Sequence, residues 1–295
     1  MPYNSHEEEK AILKRKGEVS YLEFPALSNI PFLTHGFSTR EGGVSEGYLG
    51  TMNLSYSRGD NPENVDENFR RICDTLGINV GDLVLSDQVH DIVVKRVGKK
   101  ECQGKKLRGK KLTGIDGLIT NEQKVVLCTS YADCVPLYFV DKEHKAIGHS
   151  HSGWRGTVGK IGAVTVRKMK EEFDTKPEEL VAVIGPSICQ SCYEVSRDVA
   201  DAFLNFVDAE TIAEVQNMEK EKIESLILAV CVPTGEKKYH LDLWLANKLI
   251  LMEAGVREQN ISVSCVCTCC NSELLYSHRA SHGKRGNLAG FLAIN

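Results

Sequence analysis

Apolar residues recur along this chain in two spacings. Short runs rich in Val, Ile and Leu, bounded by turn residues, predict strands over Val125–Cys128, Val135–Val140, Val181–Ile184 and Ile261–Val266. Between these runs the spacing lengthens to three and four residues. Val65, Phe69, Ile72, Cys73 and Leu76 mark one face of a helix over Asn64–Leu76. Thr157–Phe173, Arg197–Val207 and His240–Ala254 carry similar faces, the last with Gly255 as its stop. Strands interleaved with helices predict a mixed α/β (α+β) fold. No repeat, low-complexity tract or linker marks a boundary, so the chain reads as one domain with an irregular stretch near residues 98–115.

A length of 295 with 42% hydrophobic and 26% charged residues allows a full core. Thirty-six Lys plus Arg against 40 Asp plus Glu leaves a net charge of −4. That balance argues against a dedicated nucleic-acid binder. Lys95 to Lys111 holds nine basic residues with only Glu101 opposing them. With no aromatic residue to stack a base, the stretch reads as a solvated hairpin or surface loop. No apolar run approaches the roughly 18 residues that span a bilayer. The polar opening MPYNSHEEEKAILKRKGE has no signal-peptide core, so the expectation is a soluble, cytoplasmic protein without a membrane partner.

Eleven cysteines is an odd and high count, and with no secretion signal the thiols are expected to be reduced. Cys189-Gln-Ser-Cys192 and Cys267-Thr-Cys-Cys270 have the pair spacing of a tetrathiolate zinc site. Helical and strand patterns separate the pairs where such a site wants a short loop, so a closed zinc site is not expected.

Three stretches put ligating or nucleophilic groups beside turns: Asp87-Gln-Val-His90, Ser130-Tyr-Ala-Asp-Cys-Val-Pro136, and Gly148 through Thr157. A lone His or a Cys ahead of an apolar strand is by itself more often structural. The third stretch says more, because Gly153, Trp154, Arg155 and Gly156 precede a helix whose free N–H groups suit an anion. Arg155 adds a forked donor for phosphate or carboxylate; the competing reading is an ordinary loop in which Trp154 packs. A glycine turn at 35–45 presents Arg40, followed by Asn53 and Asp60, without P-loop or dinucleotide spacing.

Taken in order, HGFSTREGGVS (35–45), NLS (53–55), GDN (59–61), QVH (88–90), DGLIT (116–120) and ADCVP (132–136) resemble one family. HSGWRGT (151–157), IGPSIC (184–189), CYEV (192–195), HLDL (240–243), CT (267–268) and SHR (277–279) continue the resemblance. The chain is similar to the laccase-domain, FAMIN-like family, once described as multicopper polyphenol oxidases and now as purine nucleoside phosphorylases with adenosine deaminase activity. The resemblance implies a single αββα-like domain over residues 31–295, in a fold shared with cysteine hydrolases, after an N-terminal extension and first strand at 1–30. It implies catalytic zinc held by His90, Cys134 and His151, with His149 outside the ligand set. Two imidazoles and a thiolate make a sensible zinc sphere with a fourth position open.

On that reading Arg40, Asn53 and Arg155 bind substrate or phosphate, and Asp133 acts as acid or base or orients a ligand. The substrates are phosphate and adenosine, inosine, guanosine or 5′-methylthioadenosine, in a monomer or small homo-oligomer. Two positions depart from the family. Asn287 stands where Arg is common, which weakens phosphate binding if that Arg holds the anion, and His278 replaces a frequent Tyr. Copper at the same ligands would be adventitious, since nine scattered His do not build four copper sites. The remaining alternatives are a copper polyphenol oxidase, a Cys–His amide hydrolase with Cys134 as nucleophile and His151 as base, and a non-catalytic binding module, which would leave three potential ligands and an anion-suited turn idle.

Overall fold

The computed structural model describes residues 10–105, 107–108 and 112–295. One sheet takes β1 (Ile12–Lys16), β2 (Val19–Glu23), β3 (Leu33–Ser38), β4 (Leu83–Asp87), β6 (Leu112–Thr113), β8 (Val126–Tyr131) and β16 (Leu288–Ile294). Their order is β1-β2-β3-β16-β8-β4-β6. A second sheet takes β5 (Val94–Arg96), β7 (Gly117–Thr120), β9 (Val135–Asp141), β10 (Ala146–Ser152), β11 (Val181–Ile184) and β15 (Ile261–Val263). Here the order is β15-β11-β9-β10-β7-β5. A small sheet joins β12 (Glu194–Ser196), β14 (Lys238–Leu241) and β13 (Cys231–Gly235). The helices are α1 (Pro25–Ser28), α2 (Pro62–Leu76), α3 (Trp154–Val158), α4 (Ile161–Phe173), α5 (Arg197–Asp201), α6 (Ala209–Gln216), α7 (Lys220–Val230) and α8 (Leu243–Glu253). Among the described residues no helix is long and apolar enough to cross a membrane.

Strand alternation sorts side chains into three cores. On β9, Leu137 and Phe139 pack with α4 and α8, while Tyr138 and Val140 join the core between the sheets. On β16, Leu288 and Leu292 face that inter-sheet core, and Phe291 and Ala293 pack against Val65, Phe69 and Ile72 of α2. The layers therefore run helix, sheet, sheet, helix, the αββα architecture that the family resemblance implied.

The four expected strands form as β8, β9, β11 and β15. Helix α2 starts at Pro62, earlier than the apolar spacing indicated, because the Asn61 side chain accepts from the Glu63 N–H and Pro62 needs no amide partner. Other expectations are corrected. Thr157–Phe173 is two helices, broken where Lys160 turns left-handed at φ 58°. The helix expected over Arg197–Val207 ends at Asp201; Phe203 and Phe206 beyond it are buried from turns, so their spacing recorded burial only. His240 and Leu241 belong to β14, and α8 begins after Asp242, whose carboxylate accepts from the Leu245 N–H. Gly255, at φ 96°, ends it as expected. Within the basic stretch, Arg96 pairs with Glu172 and Arg108 with Asp66; Lys106 and residues 109–111 lie outside the described residues.

Phe291 fills the space between the first sheet and α2 with no exposure to solvent. Phe291→Ala should lose about 3–5 kcal/mol of stability, read as a lower urea midpoint at unchanged slope.

Candidate metal centre and active site

The connection from β8 to β9 carries the chain from the first sheet to the second, and Asp133 and Cys134 lie in that crossing. Antiparallel pairing of β9 with β10 sets Ser152 opposite Val135, so Gly153 follows beside Cys134. A Cβ on Gly153 would lie 3.1 Å from Cys134 Sγ and 2.9 Å from His90 Cδ2, a gap that only glycine leaves open. His90 comes from the turn after β4. Gln88 holds that turn by donating to Ser130 O at 2.8 Å and accepting from the Ser130 N–H at 3.2 Å. His151 closes β10. The ligand atoms of His90, Cys134 and His151 all lie within 4.8 Å of one another, with Cys134 Sγ 3.8 Å from His90 Nε2.

One buried carboxylate organises this cluster. Asp116 precedes β7 and is fully buried. Its Oδ2 accepts from the N–H groups of Val89 and Asp91, and its Oδ1 from the N–H of His90, at 3.0 to 3.1 Å. Its Oδ1 also meets His151 Nδ1 at 2.9 Å, and its carbonyl accepts the His151 N–H at 2.7 Å. The bond at Nδ1 leaves His151 Nε2 as the ligating nitrogen. Left-handed backbone at His90 (φ 65°) is held against its intrinsic cost by these contacts, and Asp133 (φ 83°) is left-handed as well. Burial pushes the Asp116 carboxyl upward, but the His151 and backbone donors outweigh it and hold it below the ordinary value.

The charges of the cluster support one another. Burial pushes the Cys134 thiol up, but the neighbouring His151 and His90 bring it down to about 6. Burial lowers His151, but the Cys134 charge and the Asp116 bond raise it to about 9. Without a metal the pair is thus thiolate and imidazolium; a metal would take the thiolate and the neutral ring. The donor set, and the gap that Gly153 leaves beside it, fit a small divalent ion with a position left open. His149 lies deeper between the sheets, stacked on Tyr138 and bonded to Thr129, and burial lowers it to about 3.

The triad opens on a cavity of about 740 Å³ that Asp133 and Arg155 also line. Asp133 is held on both oxygens: Oδ1 accepts from Thr268 Oγ1 at 2.6 Å and Oδ2 from the Arg279 N–H at 2.7 Å. Arg155 is exposed, with its guanidinium over the Trp154 ring at 4.3 Å. Arg40 and Asn53 are not brought to the cavity surface. Arg40 donates to Gly50 O and Ser272 O and covers the Tyr276 ring. Asn53 is fully buried; its Oδ1 accepts from the N–H groups of Ser55 and Asn287, and its Nδ2 donates to Asp60.

Besides Arg155, the cavity is lined by four cations that sequence reasoning did not assign to the site, Arg58, Arg108, Arg279 and Arg285. Arg58 Nε donates to Asn287 Oδ1 at 3.1 Å, and Arg285 bonds the same oxygen. Burial, with Arg58 nearby, lowers Arg285 to about 10. Among the described residues nothing accepts from the buried Arg285 Nε. Asn287 and His278 also line this end, and burial with Arg285 lowers His278. Asp116 stood inside the quoted motif DGLIT and Arg58 directly before GDN, but nothing in one sequence separates them from neighbouring charges.

Fold and site together define an αββα protein whose two-histidine, one-cysteine ligand group opens on a cationic cavity. The family described as multi-copper polyphenol oxidoreductase laccase matches residues 34–295. The chain is 35% identical over 261 residues to a protein named purine nucleoside phosphorylase YlmD from Bacillus subtilis, covering 88% of this chain and 87% of that one. It is 33% identical over 287 residues to a purine nucleoside phosphorylase of Bacteroides thetaiotaomicron, covering 97% and 99%. The crystal structure of YlmD from Geobacillus stearothermophilus superposes with a TM-score of 0.84 at 29% identity, covering 97% of this chain and 99% of that one. This chain belongs to the laccase-domain family.

Two measurements test the site. Asp116→Asn should weaken zinc binding by about 10- to 100-fold, read by competition with a chromophoric chelator. In metal-free protein the 240-nm thiolate absorbance of Cys134 should titrate near pH 6, and His151→Gln should move that midpoint up toward 9. The folded thiol ionises below its unfolded value and the His151 ring above its own, so the stability that the thiol gains as pH rises from about 6 to 9 is offset by what the ring loses over the same range.

Proposed function

We propose that this protein is a zinc-dependent purine nucleoside phosphorylase, acting on adenosine, inosine, guanosine and 5′-methylthioadenosine, that also deaminates adenosine. The observation that carries the reading is one cavity joining a His–Cys–His ligand group to the buried Arg285 and the half-buried Arg58, held side by side by the neutral Asn287. Relatives over nearly the whole chain bear the phosphorylase name. A volume of about 740 Å³ suits a nucleoside with phosphate beside it.

Arg58 and Arg285 hold phosphate; the anion relieves their mutual repulsion and accepts from the Arg285 Nε. Arg155 stands at the mouth as a further donor, and Trp154 and Tyr193 offer ring faces to the base at the cavity wall. A phosphate oxygen bonds to C1′ as the C1′–N bond breaks; the base leaves with the electron pair and takes up a proton, yielding ribose 1-phosphate. His90, Cys134 and His151 hold the zinc, which when bound supplies the Lewis acidity that hydrolytic deamination at C6 of adenine needs. With both its oxygens accepting bonds, Asp133 is a positioning residue for the Arg279 and Thr268 segment. A multicopper oxidase needs a histidine-rich cluster of coppers. Among the described residues the metal-suited groups are this triad and one of four cysteines.

A second reading has its own observation. The thiolate and imidazolium of the metal-free site are the nucleophile and general acid of a cysteine hydrolase. Metal content separates the two, because zinc occupies the thiolate.

Purified zinc-loaded protein should form adenine from adenosine only with phosphate present, and inosine with or without it. Cys134→Ala should abolish both products. Arg285→Ala should raise the KM for phosphate by about 10- to 100-fold, the worth of one charge-assisted hydrogen bond, with deamination retained. Absence of both products from zinc-loaded protein would refute the nucleoside reading, and amide hydrolysis by the metal-free form would establish the second.

A further inference from the structure

Four cysteines far apart in sequence meet on the other side of the crossing that carries Asp133. Cys189 and Cys192 flank the turn after β11, and Cys267 and Cys270 follow β15. Parallel pairing of β11 with β15 continues past the strand ends, where Ser187 N–H donates to Val266 O and Thr268 N–H to Ser187 O. The long separation that argued against a closed zinc site is thereby cancelled: the sheet, and not a short loop, brings the two pairs together.

We propose that Cys189, Cys192, Cys267 and Cys270 bind one zinc ion as a closed tetrathiolate site that clasps two segments of the cavity wall. The four Sγ atoms all lie within 4.8 Å of one another, with Cys270 Sγ 3.4 Å from Cys192 Sγ and 4.0 Å from Cys189 Sγ. Zinc–sulfur bonds of about 2.3 Å place tetrahedral sulfurs about 3.8 Å apart. A disulfide would need about 2.05 Å, and no disulfide is present among the described residues. Cys267 Sγ accepts from the Cys189 N–H at 3.3 Å and the Cys270 N–H at 3.4 Å, bonds that stabilise thiolate charge. Binding displaces the thiol protons to solvent and involves no change of oxidation state.

The clasp reaches the cavity directly. Thr268, beside Cys267, donates to Asp133, the neighbour of the ligand Cys134. Arg279 donates to Cys192 O at 3.2 Å and to Glu194 O at 2.9 Å, and Ile188 and Tyr193 on either side of the first pair line the cavity. The site therefore holds the wall next to Asp133 and the ligand Cys134, supplying positioning and no reacting atom. The metal site does not depend on which reaction the cavity supports, and only the kinetic readout of its effect on the cavity rests on the nucleoside reading.

The test counts zinc in full-length protein purified under reductant with zinc supplied. Metal analysis should give about two zinc per chain for the natural sequence and about one for Cys134→Ala. X-ray absorption of Cys134→Ala should show a sulfur-only shell near 2.3 Å. Cys192→Ser/Cys270→Ser should also hold about one, with a nitrogen–sulfur shell, a lower Tm, and a KM for adenosine raised more than kcat is lowered. The Cys134→Ala measurement keeps all four cysteines and so decides the matter even where the double variant fails to fold. Iron in place of zinc, zinc lost entirely from Cys134→Ala, or a Cys192–Cys270 disulfide in freshly isolated protein would overturn the proposal.

Discussion

A carboxylate with no exposure to solvent must be surrounded by donors, and Asp116 draws its donors from separate parts of the chain. Three backbone N–H groups come from the turn after β4 in the first sheet, and the imidazole comes from the end of β10 in the second. Satisfying one charge thus pins two ligands and joins the sheets at their seam. His90 adopts left-handed backbone there because its own N–H is one of the donors. The two histidines of the ligand triad are placed by how Asp116 is solvated by protein.

The seam also explains why the cavity has two chemically different ends. Sulfur comes from the crossing where β8 leaves one sheet and β9 enters the other, and the imidazoles come from the turn after β4 and from β10. The guanidinium groups come from loops over the first sheet, Arg58 before α2 and Arg285 before β16. Soft ligands and hard cations therefore face each other across a space neither sheet fills. The tetracysteine cluster repeats the soft donor chemistry without an approach for substrate, since sulfur occupies all four corners. Openness, more than donor type, separates a site suited to reaction from one suited to holding the fold.

Much of the architecture was legible because buried strands and amphipathic helices advertise themselves by period. β9 and β11 are continuous apolar runs, and α2 shows one clean face. Elements with polar interiors did not register as strands: β10 reads Ala-Ile-Gly-His-Ser-His-Ser yet is buried throughout. His90, Cys134 and His151 were legible from the family motifs, and the structure gathers them. Asp116 was not, because its importance lies in four donors that only the fold assembles. Arg40 shows the reverse error. A guanidinium beside turn glycines suggests an anion, but here its donors are taken by the carbonyls of Gly50 and Ser272.

Asn287 gains a meaning that its type alone did not carry. An Arg at this position would add a third guanidinium to Arg58 and Arg285 in a partly buried space. The amide oxygen instead accepts from both, while its Nδ2 donates to Ser130 and its N–H to Asn53. Asn53, expected to touch substrate, thereby acts through Asn287. A neutral acceptor fixes the two arginines side by side without neutralising either, so their charge is left for a ligand. The weakening of anion binding expected from an Asn at 287 does not follow from this geometry. The side chain trades one cation for the orientation of two.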